Sequence, residues 1–140
     1  MKRRKRTEIL IQGDGRLAKN LAAGIAEKYE CREITAPEQG MVMVKMRESA
    51  KNSLFYIGEV LITVVKVEVA GKIGTGLLVG MDEQRAMHLA IIDAAYKAQL
   101  PETAEWEPQL LEEEQQISIA KAQQQAELFE TKVSFETMEV

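Results

Sequence analysis

The chain has 140 residues, 46% of them hydrophobic, and a formal net charge of −4; this length fits one domain, and the apolar fraction excludes general disorder. It leaves no room for two large catalytic domains, and no apolar run approaches the roughly 20 residues that cross a bilayer. With no secretion signal legible at the basic N-terminus and a lone Cys31 unable to form an internal disulfide, the composition predicts a cytoplasmic protein outside any membrane.

Lys2, Arg3, Arg4, Lys5 and Arg6 open the chain, and without them 13 basic residues stand against 22 acidic ones. A body this acidic repels phosphate backbones, which argues against nucleic-acid binding. The basic arm, residues 1–6, reads as a solvated start. Ile9, Leu10 and Ile11 form a brief apolar run before Gly13-Asp14-Gly15 interrupts. From Arg16 to Tyr29 the spacing of Leu17, Leu21 and Ile25, and of Ala18, Ala22 and Ala26, predicts a helix.

Tyr29 to Ile34 is mostly polar and does not read as a strand. Met41 to Glu48 alternates, with Val42, Val44 and Met46 opposite Lys45 and Arg47, the pattern of a half-buried strand. Phe55-Tyr56-Ile57 leads through Gly58-Glu59 into a second apolar stretch, Val60 to Ala70. Ala70-Gly71-Lys72 offers a tight reversal into Ile73 to Val79. Connections this short predict antiparallel pairing. Asp82 is a candidate N-cap for a helix over Glu83 to Gln99, apolar around much of its circumference and so expected to be covered on more than one side.

Pro101 to Pro108 reads as a linker holding the lone Trp106. The segment Gln109 to Phe129 then carries a thin seam, Ile119, Ala122, Ala126 and Phe129, on an otherwise Glu- and Gln-rich helix. Val133 and Phe135 suggest a short extended tail. The seam fits either the protein's own sheet or another chain.

Chemistry-bearing patterns are few. Gly13, Gly15 and Ala18 spell G-x-G-x-x-A, with Glu33 twenty residues past Gly13, the spacing of a dinucleotide-binding turn. The flanking runs are poor strands, so two helices joined by a turn compete with that reading. His88 and Cys31 offer no metal cluster and no nucleophile with a base. Asp93, set among Ala90, Ile91, Ile92, Ala94 and Ala95, must find donors or a cation if it is buried.

The ordered motifs resemble the PhnG family, a subunit of the bacterial carbon–phosphorus lyase system. The matching residues are Arg6; Pro37-Glu38-Gln39-Gly40-Met41-Val42 with Arg47; and Phe55-Tyr56-Ile57-Gly58-Glu59-Val60-Leu61-Ile62-Thr63. Gly71, Gly74, Gly80-Met81-Asp82, Ala86, Ala90 and Ile92-Asp93-Ala94 follow, then Thr131-Lys132-Val133-Ser134-Phe135-Glu136-Thr137-Met138. Where the family often has His-Ala-Glu, this chain has Arg85-Ala86-Met87.

The resemblance implies a subunit working with PhnH-, PhnI-, PhnJ- and PhnL-like proteins in a two-fold hetero-oligomer that holds two copies of it. It implies a part in α-D-ribose 1-methylphosphonate 5-triphosphate synthase, where an alkylphosphonate displaces adenine from ATP. ATP is then a substrate of the complex, with no cofactor, metal or catalytic residue held by this chain.

The combined expectation is a single α+β domain over 1–140. It has an antiparallel sheet of about four strands, flanking helices, a 101–108 linker and a C-terminal helix and tail. Ile119, Ala122, Ala126, Phe129 and Phe135 are the candidate partner interface. The alternative is a stand-alone nucleotide-binding protein using the Gly13 to Ala18 turn.

Overall fold

The structure, a computed structural model of the chain, describes the backbone of residues 1–138 and the side chains of residues 1–133. Two helices, α1 (Arg3–Gln12) and α2 (Arg16–Lys28), precede three strands, β1 (Cys31–Arg47), β2 (Leu54–Val69) and β3 (Lys72–Val79). Helix α3 (Glu83–Lys97), a 3-10 turn (Pro101–Glu105) and α4 (Trp106–Met138) follow. The strands form one antiparallel sheet in the order β1-β2-β3.

The class is α+β as expected, but the strand count is three, not about four. Phe55-Tyr56-Ile57 and Val60 to Val69 are one continuous strand: the register with β1 skips Ile57, pairing Val44 with Gly58 and Lys45 with Tyr56. A bulge absorbs the extra residue, so Gly58-Glu59 bends the strand without ending it. The polar Cys31 to Pro37 segment is also strand, contrary to its composition, because β2 offers it a paired edge. Pro37, which has no N–H to give, lies where that register shifts.

The core sits between one face of the sheet and the helices. Val65, Val67 and Val69 of β2 and Leu78 of β3 meet Ala86, Leu89, Ala90, Ala94 and Ala95 of α3, all buried. Alternation along β2 puts every second residue on this face, as the period of a strand requires. Helix α2 closes the core with Ala18, Leu21, Ala22 and Ile25, one stripe of its surface. Gly74 and Gly76 allow the closest approach: a Cβ on Gly74 would collide with Ala90 and Ala94, and one on Gly76 with Ala86. Asp82 caps α3 as expected, its Oδ1 accepting from the Arg85 N–H at 3.0 Å.

The basic start is solvated as far as Lys5, but it is helical and not a loose arm. Arg3 and Arg6 lie within α1, and Arg6 is buried. Residues 101–105 form the 3-10 turn, and Trp106 opens α4, buried with Leu110. Helix α4 continues through Met138, so the short extended tail expected at Val133 and Phe135 is helical in its backbone instead. The side chain of Phe135 lies outside the described residues.

Candidate functional site

The chain's solvent-accessible surface is 9888 Å², whereas a compact monomer of its 15.7 kDa would expose about 7,300 Å². Two segments are exposed along most of their length. The first is the far end of the β1–β2 hairpin. β3 pairs with β2 from Ile62 to Val69, with one further backbone bond from Gly80 to Leu61, so beyond Leu61 the hairpin has no third strand against it. Residues 38–59 are exposed apart from a half-buried Val44.

The side chains there are not those of a solvated arm. Met41, Val42, Met43 and Met46 on β1, with Leu54, Phe55, Tyr56 and Ile57 on β2, are each 44–58% exposed. Met41-Val42-Met43-Val44 and Leu54-Phe55-Tyr56-Ile57 are apolar without alternation, which is how a strand reads when both of its faces are covered. Here neither face is. Contiguous exposed apolar surface on a folded chain marks a contact with another molecule. The expectation of a half-buried strand over Met41 to Glu48 therefore fails in burial, though not in conformation.

The second segment is α4. Its first turns are tied down: Trp106 and Leu110 are buried, Ile117 packs on the core, Lys5 meets Glu114 at 3.2 Å, and Lys121 reaches Gln12 at 3.1 Å. From Lys121 to Val133 every residue is exposed. Residues 122–138 continue for roughly 25 Å at 1.5 Å per residue. Ile119 and Phe129 are 54% and 68% exposed, and Ala122 and Ala126 lie between them on the same exposed stretch; Leu128 is 70% exposed. A helix of this length gains little from propensity alone once it leaves a core.

Asp93 ties the framework together. It is 6% exposed and accepts two hydrogen bonds from Arg3, at 2.9 and 2.8 Å, and one from the Thr75 N–H at 2.9 Å. Arg6 donates at 3.4 Å, and Lys97 stands 3.5 Å away. A buried carboxylate is tolerated when its lone pairs are filled in this way. Arg6 also lies 3.7 Å from the centroid of the Tyr96 ring, which meets Trp106 edge-on at 5.5 Å. Burial pulls the Arg6 pKa down, opposed by the nearby Tyr96 and Asp93. The basic arm and the odd acid of α3 thus answer each other, joining α1, α3 and β3.

Gly13 to Gly15 is the turn between α1 and α2 and Ala18 lies in the first turn of α2, with Gly15 at φ +89° and Asp14 Oδ1 accepting from the Arg16 N–H at 2.9 Å. A helix, not a strand, leads into it, so the strand–turn–helix setting of a dinucleotide fingerprint is absent. Glu33 lies on β1, as an exposed residue. His88 is half-buried on α3, and burial lowers its pKa; burial raises that of the half-buried Cys31. Among the described residues no three His, Cys, Asp or Glu side chains converge as a metal site would require, and no helix is long and apolar enough to cross a membrane.

The chain matches the family described as phosphonate metabolism protein PhnG over residues 1–139. It is also similar to the α-D-ribose 1-methylphosphonate 5-triphosphate synthase subunit PhnG of Rhizobium meliloti (strain 1021). The two are 33% identical over 75 residues, 53% of this chain and 48% of that protein. The match therefore spans about half the length of the curated relative.

Proposed function

The chain belongs to the PhnG family, and on that premise we propose that it is a structural subunit of a phosphonate-processing complex. The complex is an α-D-ribose 1-methylphosphonate 5-triphosphate synthase within the carbon–phosphorus lyase system. In its reaction an alkylphosphonate oxygen attacks C1 of the ribose of ATP, and adenine leaves as the C1–N bond breaks. We assign this chain no reacting group and no cofactor; ATP is the substrate of the assembly. PhnI-, PhnH-, PhnJ- and PhnL-like subunits are its partners, in a cytoplasmic hetero-oligomer containing two copies of it.

The observation that carries this reading is the exposed apolar hairpin of residues 38–59, with Met46, Phe55 and Ile57 uncovered on a chain whose core is otherwise closed. Contiguous hydrophobic surface of this kind marks a contact with another molecule, and obligate interfaces resemble a core cut in two. The seam on α4, Ile119, Ala122, Ala126 and Phe129, offers a second contact of the same character.

The test is expression of the chain alone and together with its four partner-like subunits. Co-purification in fixed ratio, with phosphonate- and ATP-dependent adenine release only by the assembly, is the expected result. A stable solitary monomer that never co-purifies, or that releases adenine unaided, overturns the proposal.

A further inference from the structure

The outer edge of β3 is guarded along one half only. The Gly80 N–H donates to the Leu61 carbonyl at 2.9 Å, which sets the phase of the β2–β3 ladder and turns Lys72, Gly74, Gly76 and Leu78 toward β2. Antiparallel alternation then points the amide groups of Ile73, Thr75, Leu77 and Val79 away from the sheet. At the first two, α3 supplies partners: Lys97 Nζ donates to the Ile73 carbonyl at 3.0 Å, and Asp93 accepts from the Thr75 N–H. Among the described residues no group serves the outward amides of Leu77 or Val79.

Beside that bare stretch runs an open groove of about 820 Å³, with Thr75 and Leu77 on one side and Arg4, Thr7, Glu8 and Ile11 of α1 on the other. Leu77 and Val79 are 48% and 70% exposed. In the groove wall Arg3 is held by Asp93, and Glu8 accepts from Gln12 at 3.2 Å. Arg4 has no ionic partner among the described residues.

We propose that this groove seats an extended segment of a partner protein, which adds to β3 as a fourth strand at Leu77 and Val79 and sets a carboxylate against Arg4. Folded proteins guard their sheet edges with charge, proline or bulges. On β1 Pro37 and the register shifts do this, and on β3 Lys97 and Asp93 do it as far as Thr75. Of the stretch left open, Leu77 has the α1 wall alongside it and Val79 continues the bare edge beyond the groove, the setting in which strand addition draws affinity from backbone bonds and selectivity from alternate side chains. A second copy of this chain is a poor occupant. Every copy carries α1 beside β3, so pairing two such edges would bring both Arg4 side chains into one groove, like charge against like.

This inference rests on the subunit reading, and one experiment separates the two. The wild-type chain is co-expressed with the four partner-like subunits, and hydrogen exchange is followed to single amides in the assembly and in the chain alone. Exchange at Leu77 and Val79 is expected to slow at least roughly tenfold on assembly, with Thr75 slow in both states. Arg4→Glu and Leu77→Pro, the latter removing an N–H that β2 does not use, are each expected to weaken co-purification at least roughly tenfold without changing the circular dichroism.

Assembly with no slowing at Leu77 and Val79 overturns the groove proposal and leaves the subunit reading standing. Slowing in the isolated chain that rises with its concentration identifies a second copy as occupant and overturns it too. Failure to assemble at all removes both.

Discussion

Gly76 on β3 lies directly beneath Ala86 on α3, so near that a single added methyl group would meet the Ala86 carbonyl oxygen and the Ala90 N–H. Gly74 repeats the relationship one turn along, against Ala90 and Ala94. Two glycines two residues apart on a strand match three alanines four apart on a helix. Both spacings select one face of their element. The contact lets α3 cover the sheet at backbone distance, and Asp93, on that helix, then reaches the Thr75 N–H.

Gly76→Ala should therefore destabilise the chain by about 1–3 kcal/mol, because backbone cannot step aside as a flexible side chain can. Gly24→Ala, on α2 with nothing within 4 Å of the added carbon, should stabilise it by about 0.5–1 kcal/mol. Urea unfolding of the two variants checks the pair, and the opposite signs make the comparison independent of any common offset.

Asp93→Ala should cost about 3–5 kcal/mol, since it leaves the buried Arg6 without its carboxylate. Arg3→Ala removes a partner whose side chain is 58% exposed, so water replaces much of what is lost and the change should stay within about 1 kcal/mol. Equal losses for the two variants would show that the Arg3 pair, not burial of Arg6, dominates.

His88 is the single histidine of the chain, and burial holds its pKa below the ordinary 6.5, ahead of a raising influence from Asp82 and a lowering one from Lys19. Below pH 6.5 the unfolded chain takes up a proton that the folded chain resists, so stability falls as pH drops from 6.5 through the folded value. His88→Gln should flatten the stability profile in that window. A proton-NMR titration of the lone imidazole gives the folded pKa directly, and a value above 6.5 would contradict this.

Leu110 is fully buried at the start of α4, while Leu128 is 70% exposed further along. Leu110→Ala should cost about 2–5 kcal/mol, and Leu128→Ala less than about 0.5 kcal/mol, measured by thermal unfolding. The contrast separates the part of α4 that belongs to this fold from the part that projects from it.

On the hairpin, the paired change Met46→Lys with Phe55→Lys should leave the isolated chain's melting temperature unaltered and abolish co-purification with the partner-like subunits. The two residues are 55% and 45% exposed and are neighbours in the β1–β2 register. Ala122→Arg tests the α4 seam in the same way: helical signal kept, assembly lost. Retained assembly would place the contact elsewhere.

Much of this protein is legible in its sequence. The 3.6-residue spacing of Leu21 and Ile25, the alternation of Val65, Val67 and Val69, the Asp82 cap and the reversal after Ala70 identify α2, β2, α3 and the β2–β3 hairpin, because those signals act within a few residues. The family resemblance follows from the order of motifs along the chain. The destination of long-range partners was not legible: Arg3 and Arg6 looked solvated until the fold carried Asp93, some ninety residues away, against them. Nor could a strand as polar as Cys31 to Pro37 be found from its own residues, since its pairing is supplied by β2. The alternation over Met41 to Glu48 and the apolar Phe55-Tyr56-Ile57 were visible, but such a pattern reports only that a surface wants covering. Only the tertiary structure decided that this chain does not cover it, because burial depends on which elements end early, and here β3 stops at the register of Ile62.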